Sequence, residues 1–377
     1  MPLLTPRVMR SLLATTMLGI LTTPAAQAVD VKMYGTVNKA YMGYSDGQTT
    51  ESNIVDNNNE STRIGMGGEQ KLDNGATASV LFEAQQTSNP SNEITQNTAT
   101  GQSATPLSNT PAFAERIARV GLANDYGAIF LGQQDVATDD AFTHDLAAAT
   151  SVLNGNVASF GGGLAFRTGN GTVANLGGTD LTVDTFALGN DGNLDAADSI
   201  RFNSATYNGF NGSLSTSQGG NVDANIRYAD TLGDFQIDSA LGHKFVNDQD
   251  SAPSDQTTGV TLASVSVKHS SGLAASLSYE QEDLAHKSAG VDDPTAYYGK
   301  VGYAWDAFGV AAEYGKFKNP VAVAANQTMN VYGVGGEYDL GHGVTAGALY
   351  RNLSADVAGI SNIEDINVWA VAMRVKF

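Results

Sequence analysis

The sequence of 377 residues contains no cysteine, which excludes disulfide bonds, thiol catalysis and cysteine-based metal sites. Its five histidines are dispersed along the chain, and their spacing matches no zinc-binding pattern. The chain also lacks a phosphate-binding P-loop and a G-x-S-x-G nucleophile motif. These absences favour a protein that is not an enzyme. The 39 acidic residues against 20 basic ones argue against a nucleic-acid partner.

Long hydrophobic runs are also missing, and the one apolar stretch near the start is short. Residues 1–28 contain Arg7 and Arg10, then an apolar run over 11–21, and end in an A-x-A sequence at Ala28. A basic start, a short apolar core and small residues at a cleavage site are typical of a secretory signal peptide. The run is too short to span a bilayer as a helix, which needs about 20 apolar residues. We therefore expect export and cleavage after Ala28.

The remaining residues, 29–377, are dominated by a two-residue alternation of apolar and polar side chains. One such segment has Leu273, Ala275, Leu277 and Tyr279 in its apolar phase. Breaks between these segments alternate between tight turns rich in Asn, Asp and Gly and mostly longer polar loops, and their spacing predicts 16 strands. An even number of antiparallel strands with turns at one end and loops at the other predicts an all-β transmembrane barrel.

The final segment shows how such a strand would divide its side chains between lipid and water. Trp369, Val371, Met373, Val375 and Phe377 occupy one phase, and Arg374 and Lys376 lie in the other. In a membrane barrel the apolar phase faces lipid and the cationic phase faces the lumen. A soluble protein with an ordinary amphipathic strand is the alternative, and the signal peptide together with the repeated pattern favours the barrel.

Three arginines lie in comparable positions on strands that lead toward tight turns. Arg63, Arg116 and Arg201 each oppose an apolar neighbour, so that they point into the lumen near its mid-height. The sequence therefore predicts a basic patch on one arc of the inner wall, although three scattered lumen charges remain the alternative. Arg119 is in the opposite phase from Arg116 and is predicted to point outward.

The longest loop, residues 135–197, carries a cluster of carboxylates at its start: Asp135, Asp139, Asp140 and Asp145. A loop of this length without a fold of its own is usually functional or disordered. If it folds inward, these carboxylates would face the arginines across a narrowed pore, and facing charges at a constriction set ion selectivity. A solvated outward loop is the alternative.

Several segments resemble the general diffusion porins of Gram-negative bacteria. These are "STRIGMGGEQKLDNGATASVLFEAQQ" at 61–86, "ERIARVGLANDYGAIFLGQQD" at 115–135 and "DSIRFNSATYNGF" at 198–210, with "YGTV" at Tyr34 and the C-terminal Phe377. The resemblance implies a homotrimer of 16-stranded, water-filled barrels in the outer membrane, whose third external loop folds inside. It also implies that Arg63, Arg116 and Arg201 form the basic wall of the constriction, whereas the acidic residues match only by their loop.

Two departures from the family pattern bear on selectivity. Thr36 and Gln133 stand where many members have basic residues. Their loss, together with acidic outer loops, predicts a weakly cation-selective channel for small hydrophilic solutes and ions. The alternatives are a solute-selective channel for a sugar or an anion, and a plugged barrel with a structural or adhesive role.

No cofactor is expected, apart from a candidate Ca²⁺ site in "NDGNLDAAD" at 190–198. Its alternating oxygen-bearing residues are Asp191, Asn193, Asp195 and Asp198. Oxygen ligands at alternate positions are typical of calcium loops, but this segment lacks the glycine and the final glutamate of the complete pattern. A solvated turn is the alternative. The expected partners are outer-membrane lipid and lipopolysaccharide.

Overall fold

A computed structural model describes residues 30–96, 113–188, 196–247, 257–285, 290–321 and 326–377. The predicted signal peptide and its boundary at Ala28 lie outside these residues. Within the described ranges, none of the helices has the length and apolar character needed to cross a membrane.

The regular secondary structure of the described chain is almost entirely β-strand. Seventeen strands form one antiparallel sheet, and two short strands form a separate hairpin. The strands of the sheet are β1 (Asp30–Ser45), β2 (Thr50–Asp56), β3 (Arg63–Lys71), β4 (Thr77–Gln85), β5 (Ala114–Asn124), β6 (Gly127–Asp135), β9 (Ala196–Ser204), β10 (Phe210–Ser217), β11 (Val222–Leu232), β12 (Phe235–Phe245), β13 (Thr257–His269), β14 (Leu273–Leu284), β15 (Thr295–Trp305), β16 (Phe308–Lys318), β17 (Gln327–Gly341), β18 (Val344–Val357) and β19 (Ile366–Lys376). The hairpin consists of β7 (Asn175–Leu176) and β8 (Thr179–Asp180), and it is followed by the one-turn helix α1 (Val183–Phe186).

The sheet closes on itself because β1 pairs with β19, from Thr36 opposite Lys376 to Ser45 opposite Asn367. Phe377 extends this seam: its N–H and C=O exchange hydrogen bonds with Gly35 at 3.0 and 2.9 Å. The ring of Phe377 lies so close to Gly35 that a side chain at this glycine would collide with it. Closure leaves no open edge, which a sheet in lipid requires because unpaired amides are costly there.

The predicted count of sixteen strands is confirmed, with one difference in the second strand. Both β2 and β3 pair with β1. Together they count as one strand of the barrel, which residues 57–62 interrupt. The wall continues through β2 as far as Asp56 before this interruption. Three consecutive asparagines at 57–59 resemble a surface loop in sequence, whereas here they interrupt a strand.

The outward phase of the strands is apolar and is bounded by aromatic side chains. Leu131, Leu277 and Val371 are each more than half exposed on this face. Near the tight turns, Trp305 stacks on Tyr303 and on Phe308 with ring centroids 5.6 Å apart. A second set includes the pairs Tyr279–Tyr297 and Tyr314–Tyr332, each at 5.2 Å. An apolar band between aromatic girdles is typical of outer-membrane barrels.

The long segment after β6 folds into the barrel, as predicted, and it packs against an inner wall that is apolar on one side. Inward residues Met42 of β1 and Val368 of β19 are fully buried. They belong to one apolar cluster with Phe160, Phe166 and Phe186 of the segment. The barrel therefore contains a hydrophobic core, formed where the inward segment packs against the wall.

Candidate functional site

Residues 136–157 follow the inner wall in strand order rather than crossing the lumen directly. Backbone N–H groups of this segment donate to side chains of β10, β11, β13 and β17 at 2.8–3.0 Å. These hydrogen bonds join Ala137 to Ser215, Thr138 to Asp223, Leu146 to Ser266, and Ala149 to Glu337. The wall thus satisfies backbone donors that would otherwise be buried without partners.

Two buried cations of the wall add stronger anchors to this segment. Lys300 of β15 contacts Asp145 Oδ2 at 2.5 Å and donates to the carbonyl of Leu153 at 2.9 Å. Arg351 of β18 donates to the carbonyl of Val157 at 2.7 Å. Hydrogen bonds to charged groups are roughly twice as strong as neutral ones. These contacts hold the segment against the side of the barrel formed by β15–β18.

Small residues on the inner wall allow the segment to lie this close. A Cβ added to Gly302 of β15 would meet the backbone N of Ala148 at 2.7 Å. One added to Gly347 of β18 would meet Val152 Cγ1 at 2.8 Å. Glycine in a strand commonly marks a place where another backbone approaches closely.

The distal part of the segment is tied to the turn between β1 and β2. Arg167 Nε donates to Asp46 Oδ2 at 2.8 Å, and Asp46 also accepts from the backbone N–H groups of Thr49 and Gln48. Burial alone would raise the pKa of Asp46, but these N–H donors and Arg167 hold the pKa below its usual value. Asp46 therefore acts as an ionised anchor for the segment at this end.

The lumen also contains a polar cavity of about 850 Å³. One side of its lining comes from the interruption 57–62 and from β3, β5, β6 and β19, and the other comes from the inward segment. The charged lining residues are Arg63, Arg116, Arg374, Lys376, Glu60, Glu115, Asp135, Asp139 and Asp140. Four cations and five carboxylates thus face one small volume.

Arg63 and Arg116, two of the predicted basic residues, come together around a carboxylate that the sequence analysis missed. Glu83 Oε2 lies 3.5 Å from Arg63 Nε, and Glu83 Oε1 lies 3.3 Å from Arg116 Nη1. The hydroxyl of Tyr34 donates to the same carboxylate at 2.8 Å. Glu83 is almost fully buried, so its carboxylate has a fixed position and orients the two guanidinium groups that contact it.

A second group of cations meets at Glu60 in the interruption of the second strand. Arg374 Nη1 lies 2.6 Å from Glu60 Oε2, and Lys376 Nζ lies 2.9 Å from Oε1. Arg63 Nη2 lies 3.4 Å from Oε1. The inward phase of Arg374 and Lys376 signals their place in the lumen, whereas Glu60 gives no such signal, because its segment is not in the strand phase.

Three of the four predicted acidic residues line the cavity, and Asp145 does not. Asp135 lies 3.7 Å from Arg116 Nη1, while Asp139 and Asp140 come from the first turns of the inward segment. Asp145 is buried against Lys300 and accepts a hydrogen bond from Ser276 at 2.8 Å. Its carboxylate therefore contacts a wall lysine instead of the arginine patch.

Arg201 is not among the residues that line the cavity, and it binds the start of the inward segment instead. Its Nη1 donates to the carbonyl oxygens of Asp135 and Val136, both at 2.9 Å. The side chain thus fixes the first residues of the inward segment. The sequence alternation predicted that Arg201 points inward. Its contacts with backbone carbonyl groups were not predictable, because they depend on how a segment distant in sequence folds.

Arg119 faces the lumen, so its predicted outward orientation was wrong. The pairing of β4 with β5 contains a bulge: Glu83 pairs with Ile117 and Ala84 with Glu115, which leaves Arg116 as an extra residue. One extra residue turns the side chains that follow it in the strand to the opposite face of the sheet. The guanidinium of Arg119 lies 4.4 Å from the ring centroid of Phe130 and donates to Gln134 at 3.3 Å.

His144 lies on the inward segment beside an ion pair of the wall. Its Nδ1 is 3.3 Å from Asp238 Oδ2, and Asp238 accepts two hydrogen bonds from Arg227 at 2.8 and 2.7 Å. Burial lowers the pKa of His144, because desolvation and the charge of Arg227 outweigh the attraction of Asp238 and Asp140. The imidazole is therefore neutral at neutral pH.

The calcium candidate at 190–198 stays a prediction. Asp191, Asn193 and Asp195 lie outside the described residues, and Asp198 is an exposed residue of β9. Across the residues that are described, His, Asp and Glu side chains form no cluster of three or more suited to a metal ion.

Comparison with known proteins supplies independent information on this barrel. A sequence model described as Gram-negative porin matches residues 14–358. A search of curated proteins gives no match.

Solved structures with the same fold include the anion-selective porin from Comamonas acidovorans, with a TM-score of 0.59 and 14% identity over 93% of this chain and 100% of that one. They also include in-vitro folded OmpT of Vibrio cholerae in a trimer form, with a TM-score of 0.57 and 13% identity over 93% and 100%. The outer membrane channel DcaP of Acinetobacter baumannii gives 0.57 and 12% over 94% and 99%.

Proposed function

Because the chain belongs to the Gram-negative porin family, we propose that it is a general diffusion porin with a weak preference for cations. The family and the closed barrel indicate an outer-membrane channel. In our proposal, small hydrophilic solutes and ions pass through the cavity between the basic wall and the inward segment. The proposal includes no catalytic step.

The observation that carries the proposed selectivity is the balance of charge around the cavity. Five carboxylates and four cations line it, and the cations are largely engaged: Glu60 contacts Arg374 and Lys376, and Glu83 contacts Arg63 and Arg116. Asp140 is exposed on the inward segment. A permeating ion would therefore meet paired cations on one side and the exposed carboxylate of Asp140 on the other, which favours cations.

The anion-selective porin from Comamonas acidovorans provides a useful contrast, because it shares the fold at low identity. Fold alone does not set selectivity, which depends on the charged side chains at the narrowest point. Gln133 of this chain lines the cavity with an uncharged side chain. We propose that the neutral residues Gln133 and Thr36 contribute to the preference for cations.

We also propose that the protein assembles as a homotrimer in contact with lipid and lipopolysaccharide. The family and the trimer form of OmpT support this proposal. A trimer should close in three equal current steps, and it should migrate at three times the mass of the monomer in native electrophoresis.

Reversal potentials of the refolded protein in a planar bilayer under a KCl gradient test the proposal. We expect stable single-channel conductance and a permeability ratio that modestly favours K⁺ over Cl⁻. A clear preference for Cl⁻ would contradict the proposed selectivity. A folded barrel without conductance would contradict the channel and support a plugged structural barrel.

A further inference from the structure

The interruption of the second strand places a carboxylate in front of the basic wall. Residues 57–62 leave the sheet between β2 and β3 and line the polar cavity through Asn58, Asn59, Glu60 and Ser61. The cavity is thus bounded on one side by the inward segment 136–157 and on the other by this second, shorter insertion.

The insertion is held in place from both of its neighbours. Asn38 of β1 donates from Nδ2 to the carbonyl of Glu60 at 2.9 Å, and its backbone N–H donates to Thr62 Oγ1 at 3.1 Å. Asn57 is fully buried and donates from Nδ2 to the carbonyl of Ser151 at 3.1 Å. Because these contacts fix the backbone on either side of Glu60, the carboxylate has a defined position between the wall and the inward segment.

Three cations from two strands converge on this carboxylate. Arg374 and Lys376 lie on β19, Arg63 lies at the start of β3, and the contacts range from 2.6 to 3.4 Å. The side chain of Lys376 is 49% exposed, so its ammonium group would be free to extend into the cavity if Glu60 did not hold it. A lysine carries a mobile point charge on a flexible stem, which makes its position sensitive to such a partner.

We propose that Glu60 is a selectivity-determining residue, which holds Arg63, Arg374 and Lys376 against the wall and neutralises their field at the cavity. The inference rests on the proposed cation preference of the channel. It adds the second-strand insertion as a constriction element that acts together with the inward segment.

The test compares two substitutions that remove the same charge from the same cavity. Glu60→Gln removes the carboxylate shared by three cations. Glu115→Gln removes an exposed carboxylate that lines the cavity and makes no ion pair with another described residue. We expect Glu60→Gln to lower the K⁺ to Cl⁻ permeability ratio by roughly two- to fivefold, the effect of one charge at about 4 Å in a water-like dielectric. Glu115→Gln should lower it clearly less, because it removes a carboxylate without releasing the three cations that Glu60 holds.

A double-mutant cycle distinguishes the loss of the ion pairs of Glu60 from the mere loss of its negative charge. In a background carrying Arg374→Gln and Lys376→Gln, Glu60→Gln should shift the ratio no more than Glu115→Gln does, because two of its three partners are absent. Glu60→Asp keeps the charge but shortens the side chain, and it should shift the ratio toward anions by a smaller amount. This variant also tests the idea if Glu60→Gln does not fold.

Equal shifts for Glu60→Gln and Glu115→Gln, or an unchanged ratio in Glu60→Asp, would overturn the inference while leaving the channel intact. A wild-type protein without conductance, or with a preference for anions, would instead overturn the proposed function and the inference together.

Discussion

Arg351 of β18 and Glu313 of β16 form an ion pair of 2.6 Å inside the barrel, and neither side chain is exposed. The hydroxyl of Tyr298 donates to Glu313 at 2.8 Å, and Arg351 also binds the carbonyl of Val157. The pair therefore joins the wall to the inward segment. Its energetic role depends on whether both partners are present, because a single buried charge is much more costly than a neutral pair.

Removing Arg351 alone should destabilise the protein strongly. Arg351→Met leaves Glu313 buried without its cation, and we expect a loss of about 3–5 kcal/mol in the free energy of unfolding. Arg351→Met combined with Glu313→Gln removes both charges and should cost much less. Urea unfolding of the refolded barrel in lipid measures both variants, and equal losses would contradict a role for the unpaired charge.

A single methyl group on the inner wall should displace the inward segment. In Gly302→Ala, the new Cβ would lie 2.7 Å from the backbone N of Ala148, so that the segment must shift. We expect a loss of roughly 1–3 kcal/mol from overpacking, together with an altered single-channel conductance.

Gly336→Ala provides the matched control for this change. Gly336 lies on β17, two strands away from Gly302, and its added Cβ would make only ordinary contacts at 3.4 and 3.7 Å. Its conductance and stability should stay close to those of the wild type. Equal conductance and equal stability of the Gly302→Ala and Gly336→Ala variants would show that the close contact at Gly302 does not position the inward segment.

The carboxylates of the inward segment should differ in their effect on selectivity. Asp139 and Asp140 line the cavity, so the double change to Asn should lower the K⁺ to Cl⁻ permeability ratio several-fold. Asp145→Asn should leave the ratio nearly unchanged, because Asp145 is buried against Lys300 away from that lining. Reversal potentials in a salt gradient measure the permeability ratio of both variants. An equal effect of the two changes would contradict the placement of Asp139 and Asp140 in the cavity and of Asp145 outside it.

The environment of His144 predicts that stability falls in mild acid. Since burial lowers the pKa of His144 below its usual 6.5, the unfolded chain binds a proton more readily than the native barrel does. The contribution of His144 to stability is therefore complete above pH 6.5 and decreases as the pH falls from there toward the lower native pKa.

Unfolding free energies at pH 7.5 and pH 5 check this prediction. The wild type should lose more stability over this interval than His144→Gln, which cannot be protonated. Asp238, Arg227 and Asp140 face the imidazole in both proteins, so their own titration is common to the comparison. An identical pH dependence of the two proteins would exclude His144 as the responsible group.

The barrel was predictable because its pattern is repeated and local. Alternation along β19 placed Val371 outward and Arg374 inward, and the structure has the same arrangement. Tight turns were equally readable: Asn208 and Gly209 adopt φ angles of 48° and 82°, as a two-residue hairpin turn requires. Each of these signals depends on a few neighbouring residues.

The details of the site depend on residues distant in sequence, and they were less predictable. A bulge at Arg116 reversed the phase of Arg119, and alternation alone does not reveal an extra residue in one strand. The phase of Arg201 placed it inward, yet its covering by the carbonyl of Asp135 arises from the fold of the inward segment. Glu60 was missed because it belongs to an insertion that interrupts the strand.

The absence of cysteine makes a direct test of the channel path straightforward, since each introduced thiol is unique. Asp140→Cys places a thiol in the polar cavity, and Val371→Cys places one on the outward face, where Val371 is 62% exposed. A charged, membrane-impermeant thiol reagent is added while single-channel current is recorded. We predict that the reagent reduces the current through Asp140→Cys and leaves Val371→Cys unchanged. Unaltered current in the first variant, or block in the second, would contradict a water-filled path through this cavity.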